Sequence, residues 1–287
     1  MKELVILSGK GGTGKTSLAA SFSALAENRV IADCDVDAAD LHLILSPKIK
    51  HKDNFTGGFL AEIDKDKCTA CGKCIELCRF DSINSDYVVD KIICEGCGVC
   101  AYFCPEKAIE MKQTISGKWF VSDTRFGRFI HAELGIAEEN SGKLVALVKR
   151  IANINAKKNN DNLIIVDGSP GIGCPVISST TGADYILIVT EPTLSGMHDL
   201  DRIARLTKHF KIKSGVCINK YDLNLSVSEK IEAYCKDNNL DFLGKIHYDD
   251  IFIKAMIDGK SVVEYSNGSV VVLIKQIWQK ILKKLYE

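Results

Sequence analysis

The sequence predicts an α/β fold, a mostly parallel sheet covered by helices on both faces and interrupted by a small cysteine-rich α+β insert. Three observations predict it. Short apolar runs alternate with helix-compatible runs along most of the 287 residues. The apolar runs are continuous, as strands buried on both faces are. Eight of the 12 cysteines crowd between Cys68 and Cys104. A chain with 46% hydrophobic and 26% charged residues has ordinary globular composition, enough for one large domain or two smaller ones. Its 37 basic and 37 acidic residues cancel, so no whole-chain footprint for nucleic acid is present. No stretch approaches the apolar length of a membrane span. Met1 to Leu7 lacks a basic segment followed by an apolar one, so a cytoplasmic placement is expected. In a reducing compartment, 12 cysteines point to metal or cluster ligation rather than disulfides.

The first strand is Leu4-Val5-Ile6-Leu7, followed by Ser8-Gly9-Lys10-Gly11-Gly12-Thr13-Gly14-Lys15-Thr16 and a helical run from Ser17 to Glu27. Strand, glycine-rich loop and helix are the setting of a phosphate-binding P-loop, G-x4-G-K-T, matched in full by Gly9, Gly14, Lys15 and Thr16. The glycines let successive N–H groups turn toward phosphate oxygens, and the helix points its positive end at the same place. The expected nucleotide contacts are Gly9, Lys10, Gly11, Gly12, Thr13, Gly14, Lys15, Thr16 and Ser17, with ATP or ADP as ligand. Lys15 is expected on the β- and γ-phosphates and the Thr16 hydroxyl on Mg²⁺. Arg29 to Asp33 reads as the next strand, and Asp33, Asp35 and Asp37 follow at its carboxyl end, where open α/β sheets bind ligands. Asp37 and Asp40 are second choices after Asp35 for a role at the phosphates; both could instead cap the helical run Ala38 to Leu45, and Asp37 reads foremost as such a cap.

The pattern then changes. Cys68-x2-Cys71-x2-Cys74-x3-Cys78 is repeated 26 residues on as Cys94-x2-Cys97-x2-Cys100-x3-Cys104-Pro105. This is the two-cluster bacterial ferredoxin spacing, in which the fourth cysteine of each run ligates the other cluster. Cys68, Cys71, Cys74 and Cys104 are therefore expected on one [4Fe–4S] cluster, and Cys94, Cys97, Cys100 and Cys78 on a second. Zinc sites instead pair C-x2-C units across longer gaps. Cys78 departs from the pattern in being followed by Arg79 where the second run has proline. Short β-like runs, Ala61 to Ile63 and Ala108 to Met111, flank the cysteines. The expected division is 1–57 and 116–287 for the nucleotide domain, with 58–115 as the insert.

Beyond the insert, the mixed aromatics and arginines Trp119, Phe120, Arg125, Phe126 and Arg128 could dock the insert on the main domain, though core packing is the commoner role for residues such as Trp119 and Phe120; His131 reads as a packing or hydrogen-bonding residue. Asn140-Ser141-Gly142 looks like a helix start, with Leu144, Leu147, Val148, Ile151 and Ile154 on one face of the helix that follows. Leu163 to Asp167 is a buried strand ending in the Walker B position, so Asp167 is expected to hold the Mg²⁺ hydration shell. Gly168 to Gly173 is glycine-punctuated and able to sense a γ-phosphate. Strands at Tyr185–Thr190, Gly215–Lys220 and Phe242–Ile246 alternate with helices at 196–210, 227–237, from Ile251 and from Val270. The last helix is amphipathic. It reads as packing on the sheet, with membrane contact as the rival reading.

These motifs in this order resemble the MinD/ParA/Mrp superfamily of deviant Walker A ATPases, in the form that carries an inserted two-cluster ferredoxin domain. Some relatives of that form belong to orange-protein complexes and others are linked to cluster or cofactor assembly, and the loop also resembles that of the nitrogenase iron protein. The resemblance implies a P-loop ATPase acting as a homodimer, or as a heterodimer with a related ATPase. Lys10, the second lysine of the loop, then reaches the partner's nucleotide, and Asp35 orients the attacking water. The implied catalytic set is Lys10, Lys15, Asp35 and Asp167. Gly171 is the implied γ-phosphate contact, and Asn219 and Lys220 lie in the segment resembling the base-recognition loop; the Asn219 amide has the donor and acceptor to read adenine. In the iron protein a cysteine at the position of Cys174 holds a shared cluster, but no second cysteine is evident here, so Cys174 reads as a small buried residue. The implied role is ATP hydrolysis coupled to electron transfer or cluster assembly on an acceptor protein. The alternative is a positioning or scaffold ATPase whose clusters are structural or redox-sensing.

Overall fold

The computed structural model describes residues 1–135 and 141–287. In chain order the elements are β1 (Lys2–Ser8), α1 (Lys15–Leu25), β2 (Arg29–Asp33), α2 (Leu41–Leu45), β3 (Lys48–Ile63), α3 (Lys73–Leu77), α4 (Val99–Tyr102), β4 (Ile109–Thr124) and β5 (Gly127–Leu134). They continue as α5 (Ser141–Asn159), β6 (Leu163–Asp167), α6 (Cys174–Thr180), β7 (Tyr185–Thr190), α7 (Leu194–His209), β8 (Lys213–Asn219) and α8 (Leu225–Asp237). The chain closes with β9 (Asp241–Ile246), α9 (Ile251–Ile257), α10 (Val262–Tyr265) and α11 (Ser269–Tyr286). The expected helix start at Asn140 lies outside the described residues.

The strands form one sheet in the order β3-β4-β5-β2-β6-β1-β7-β8-β9. From β5 to β9 every pairing is parallel. Register decides where the chemistry falls. Asp33 stands opposite Asp167, and Ile6 opposite Asp167 on the other side, so β1, β2 and β6 end level with one another. Their carboxylates and the glycine loop share one edge of the sheet.

Leu4 and Ile6 join a core with Leu18 and Phe22 of α1 and with Ile274, Ile277 and Trp278 of α11. Phe22 and Trp278 stack with ring centroids 5.2 Å apart. Successive side chains of a strand point to opposite faces, so the fully buried Val5 and Leu7 are covered from the other side. There α6 and α7 pack on β1, and α5 packs on β2 and β6. The apolar stripe of α11 (Val270, Val271, Ile274, Ile277, Trp278, Ile281, Leu285) is thus spent on the core, leaving a polar outer face. Among the described residues no helix is long and apolar enough to cross a membrane.

The chain divides into two compact units. One comprises Met1–Lys52, Trp119–Glu133 and Ser141–Glu287; the other comprises Asp53–Lys118 with Leu134 and Gly135. The strands flanking the cysteines are far longer than the sequence suggested: β3 and β4 each have 16 residues. Their burial alternates only in part, and the first seven residues of β3 are exposed, so no apolar period marked them. A second correction concerns Asp37. The turn closed by Ala38 N–H on the Asp35 carbonyl delays the helix, α2 begins at Leu41, and Asp40 takes the cap position without a side-chain bond. Asp37 is exposed and caps nothing.

Candidate functional site

Gly14 ends the loop at φ +88°, a left-handed conformation that glycine adopts without strain, and α1 starts at the next residue. A Cβ there would also come within 2.5 Å of the Asn219 amide nitrogen. Gly9 has a packing reason instead: a Cβ would sit 2.1 Å from the Cβ of Asp199.

Lys15 lies in the first turn of α1 with its ammonium between two carboxylates. Nζ is 2.8 Å from Asp167 Oδ1 and 3.2 Å from Asp35 Oδ2. Burial alone would pull this ammonium's pKa down; Asp167 and then Asp35 outweigh it and hold Lys15 above its ordinary value. Asp33 is fully enclosed beside them. Burial, then repulsion from Asp167, pushes its carboxyl well above the ordinary range against the pull of Lys15. Asp35 is raised by burial, partly offset by Lys15. Asp33 Oδ1 accepts from the Asp35 N–H at 3.1 Å, which fixes the backbone of the candidate switch I. Asp33 Oδ2, Asp167 Oδ2 and Thr13 Oγ1 are buried without a hydrogen-bond partner among the described residues. Unpaired buried polar atoms at a glycine loop suit a ligand that brings its own oxygens and cation. Thr16, half-buried in the first turn of α1, and Asp167 are the residues that could hold Mg²⁺.

The second lysine of the loop is also held by a carboxylate. Lys10 Nζ is 3.3 Å from Glu191 Oε2, just beyond β7. Glu191 Oε1 takes Lys220 Nζ at 2.5 Å, and Lys220 also donates to the Gly12 carbonyl at 3.2 Å. Asn219 faces the loop: its Nδ2 donates to the Thr13 carbonyl at 2.9 Å and its Oδ1 accepts from the Lys220 N–H. Its amide braces the glycine loop. Gly171, at φ +90°, donates its N–H to the Ser8 carbonyl at 2.9 Å, and Ser169 Oγ donates to the Cys34 carbonyl at 2.6 Å. The two candidate switches are thereby tied together and to the loop. Cys174 is exposed at the start of α6, in contrast to the buried placement expected for it.

Asp33 was placed at the ligand edge from the sequence but given no role there, and Glu191 and Ser169 were not picked out as site residues. For the first two the signal was present, since each ends or follows a strand at the ligand edge as Asp167 does. Nothing local marked Ser169, whose role depends on the approach of Cys34, 135 residues away.

In the second unit the cysteines line two cavities. Cys68, Cys71, Cys74 and Cys104 line one with Pro105 and Ile109; Cys78, Cys94, Cys97 and Cys100 line the other with Ser82 and Met111. The 26-residue repeat recurs in the backbone. Ala70 and Gly96 have φ +55° and +59°, Gly72 and Gly98 +78° and +75°, Asp81 and Lys107 +51° and +50°. Cys68 and Cys94 N–H donate to the Asp64 and Asp90 carbonyls, each at 3.0 Å. Burial pushes the thiol pKa of both Cys74 and Cys100 up, against backbone N–H groups aimed at their sulfurs; Cys68 and Cys71, or Cys94 and Cys97, add to the rise. Ala108 N–H donates to Cys104 Sγ, and Ser82 Oγ stands 3.3 Å from Cys78 Sγ. Among the described residues no three His, Cys, Asp or Glu converge on a single metal-ion position. A cubane asks for a different arrangement, four thiolates spread over four irons with N–H groups aimed at sulfur, and the two donor sets suit it.

A family profile described as the CobQ/CobB/MinD/ParA nucleotide binding domain matches residues 4–262. An uncharacterized protein of Methanocaldococcus jannaschii is 33% identical over 285 residues, covering 97% of this chain and 96% of its own. Among solved structures, the septum site-determining protein MinD of Pyrococcus horikoshii complexed with Mg-ADP superposes with a TM-score of 0.60 at 16% identity, over 98% of this chain and 95% of that one. Apo McdA of Cyanothece gives 0.60 at 16% identity, over 98% and 99%. At such identity these two structures show the shared fold.

Proposed function

The chain belongs to the CobQ/CobB/MinD/ParA nucleotide-binding family, and from that premise we propose that it is an ATP-hydrolysing switch of the MinD/ParA kind. The observation that carries this reading is the placement of Lys15 between Asp35 and Asp167 at the mouth of the glycine loop. A triphosphate entering the loop offers Lys15 a stronger anionic partner than either carboxylate. Lys15 then moves to the β- and γ-phosphate oxygens, while the loop N–H groups take the remaining oxygens. Asp35, released, orients a water in line with the γ-phosphorus. Water adds there, the bond to the β-phosphate oxygen breaks, and ADP leaves carrying the electron pair. Asp167, with the Thr16 hydroxyl, would hold Mg²⁺, which neutralises charge on the leaving diphosphate. Gly171 exchanges the Ser8 carbonyl for a γ-phosphate oxygen, so loss of that phosphate releases the second switch. Lys10 reaches the nucleotide of a second copy, or of a related ATPase, and Asn219 and Lys220 border the base.

The likeness to MinD and McdA supports a positioning or scaffold role, switched by assembly over ATP. Sedimentation velocity tests it: monomer without nucleotide and with ADP, dimer with a non-hydrolysable MgATP analogue. A monomer under all three conditions contradicts the reading.

A second reading is favoured by the two four-cysteine cavities. In it the insert holds two [4Fe–4S] clusters, on Cys68, Cys71, Cys74 and Cys104 and on Cys94, Cys97, Cys100 and Cys78. When bound, such clusters supply one-electron chemistry, or sense redox state while stapling the insert. Potentiometric EPR on anaerobically purified protein separates the roles. Potentials that shift with the ATP analogue support coupling to an electron acceptor; unchanged potentials leave the clusters as staples or sensors.

A further inference from the structure

Among the described residues, the three lysines at the glycine loop are held by carboxylates of their own chain: Lys15 by Asp167 and Asp35, Lys10 and Lys220 by Glu191. Glu191 is the member of this set to which the mechanism above gives no part, since Asp167 serves Mg²⁺ and Asp35 the attacking water. Its position is built. The backbone turns directly after β7, with Thr193 N–H donating to the Glu191 carbonyl at 2.8 Å, and that carbonyl lies so close to Gly196 that a Cβ there would approach within 2.3 Å. The side chain is 13% exposed, and each carboxylate oxygen faces one lysine, so Lys220 keeps it in place whether or not Lys10 is present. Lys10 is the looser partner, at 3.3 Å with 36% of its side chain exposed.

We propose that Glu191 is a latch that holds Lys10 on its own chain and so sets the threshold for nucleotide-driven pairing of two copies. The inference rests on the reading that two copies pair over nucleotide with Lys10 crossing between them. A carboxylate here stands where a phosphate oxygen could serve the same ammonium. Lys10 must leave Glu191 before it can reach a neighbouring nucleotide, and two latches open for each symmetric pair. A half-exposed ion pair is worth roughly 1.5- to 5-fold in an equilibrium, so removing both latches strengthens pairing by about 2- to 30-fold.

Sedimentation equilibrium with a non-hydrolysable MgATP analogue tests this on the full chain, comparing wild type, Glu191→Gln, Lys10→Ala and the double variant. The expected result is tighter pairing by Glu191→Gln than by wild type, and no gain from the same change in the Lys10→Ala background. That dependence on Lys10 separates a latch from mere loosening of Lys220 at Gly12, which would act in both backgrounds. Pairing of Glu191→Gln equal to or weaker than wild type, or a gain that survives Lys10→Ala, overturns the latch while the dimer reading stands. Wild type that binds the analogue and stays monomeric overturns both.

Discussion

Buried charge at the ligand edge makes single residues sensitive to pH. Asp33 is enclosed beside Asp167, and its pKa is raised by burial and by that neighbour. A raised acid favours folding when protonated; its contribution is full below the ordinary 3.8 and is lost as pH rises through the folded value. Asp33→Asn keeps the oxygen that accepts the Asp35 N–H. Nucleotide-free Asp33→Asn is therefore expected to be more stable than wild type at neutral pH and equal to it in acid, by denaturant unfolding across pH. His131 has the opposite sign. It stacks between Phe120 and Phe129, at 4.7 and 4.6 Å, with His42 at 6.4 Å. Burial, then His42, lowers it to about 4. Its contribution is full above the ordinary 6.5 and is lost as pH falls toward 4, on the order of 3 kcal/mol. His131→Phe should flatten that acid limb of the stability profile. The sequence pointed to packing or hydrogen bonding for His131, and the stacked rings together with Ser122 Oγ at 3.3 Å from Nε2 give it both.

At the scale of elements, legibility followed locality. The glycine loop, the Walker B strand and the alternating strands and helices from β6 onward are each set by a contiguous run of residues, and the sequence displayed them directly. The long β3 and β4 were hidden because their residues are largely polar outside the sheet core, and the Asn219–Thr13 brace because it joins residues 206 apart. Gly14→Ala tests that brace: a side chain at φ +88° and 2.5 Å from the Asn219 amide should weaken nucleotide binding at least tenfold by calorimetry, while Gly11→Ala, with open space around it, should cost less. In the insert the repeat was legible from cysteine spacing, as was the Arg79–Pro105 departure, yet a second asymmetry, a hydroxyl beside sulfur, was not singled out. Ser82 sits beside Cys78 where the second half has Ala108 beside Cys104. If the cavities hold cubanes, Cys104→Ser should remove about half the iron and leave one EPR species. Ser82→Ala should lower the potential of a single cluster, because hydrogen bonds to sulfur stabilise the reduced state.

For the whole molecule, sheet register does the assembling. Strands β1, β2, β6 and β7 end at one edge and deliver the glycine loop, Asp33 with Asp35, Asp167 and Glu191 to one place. These carboxylates hold both lysines of the loop, Lys10 and Lys15, and on the proposed mechanism a ligand's phosphates displace them. On the proposed mechanism activity depends on Lys15 for capture and on Asp35 for chemistry, and the two dependences should separate. Phosphate release from MgATP, measured beside nucleotide affinity, tests this most directly. Wild type is expected to hydrolyse ATP, Lys15→Ala to fail to bind it, and Asp35→Asn to bind it normally while hydrolysing at least about 100-fold more slowly. Wild-type affinity and turnover in Lys15→Ala, or unimpaired hydrolysis by Asp35→Asn, would contradict the mechanism.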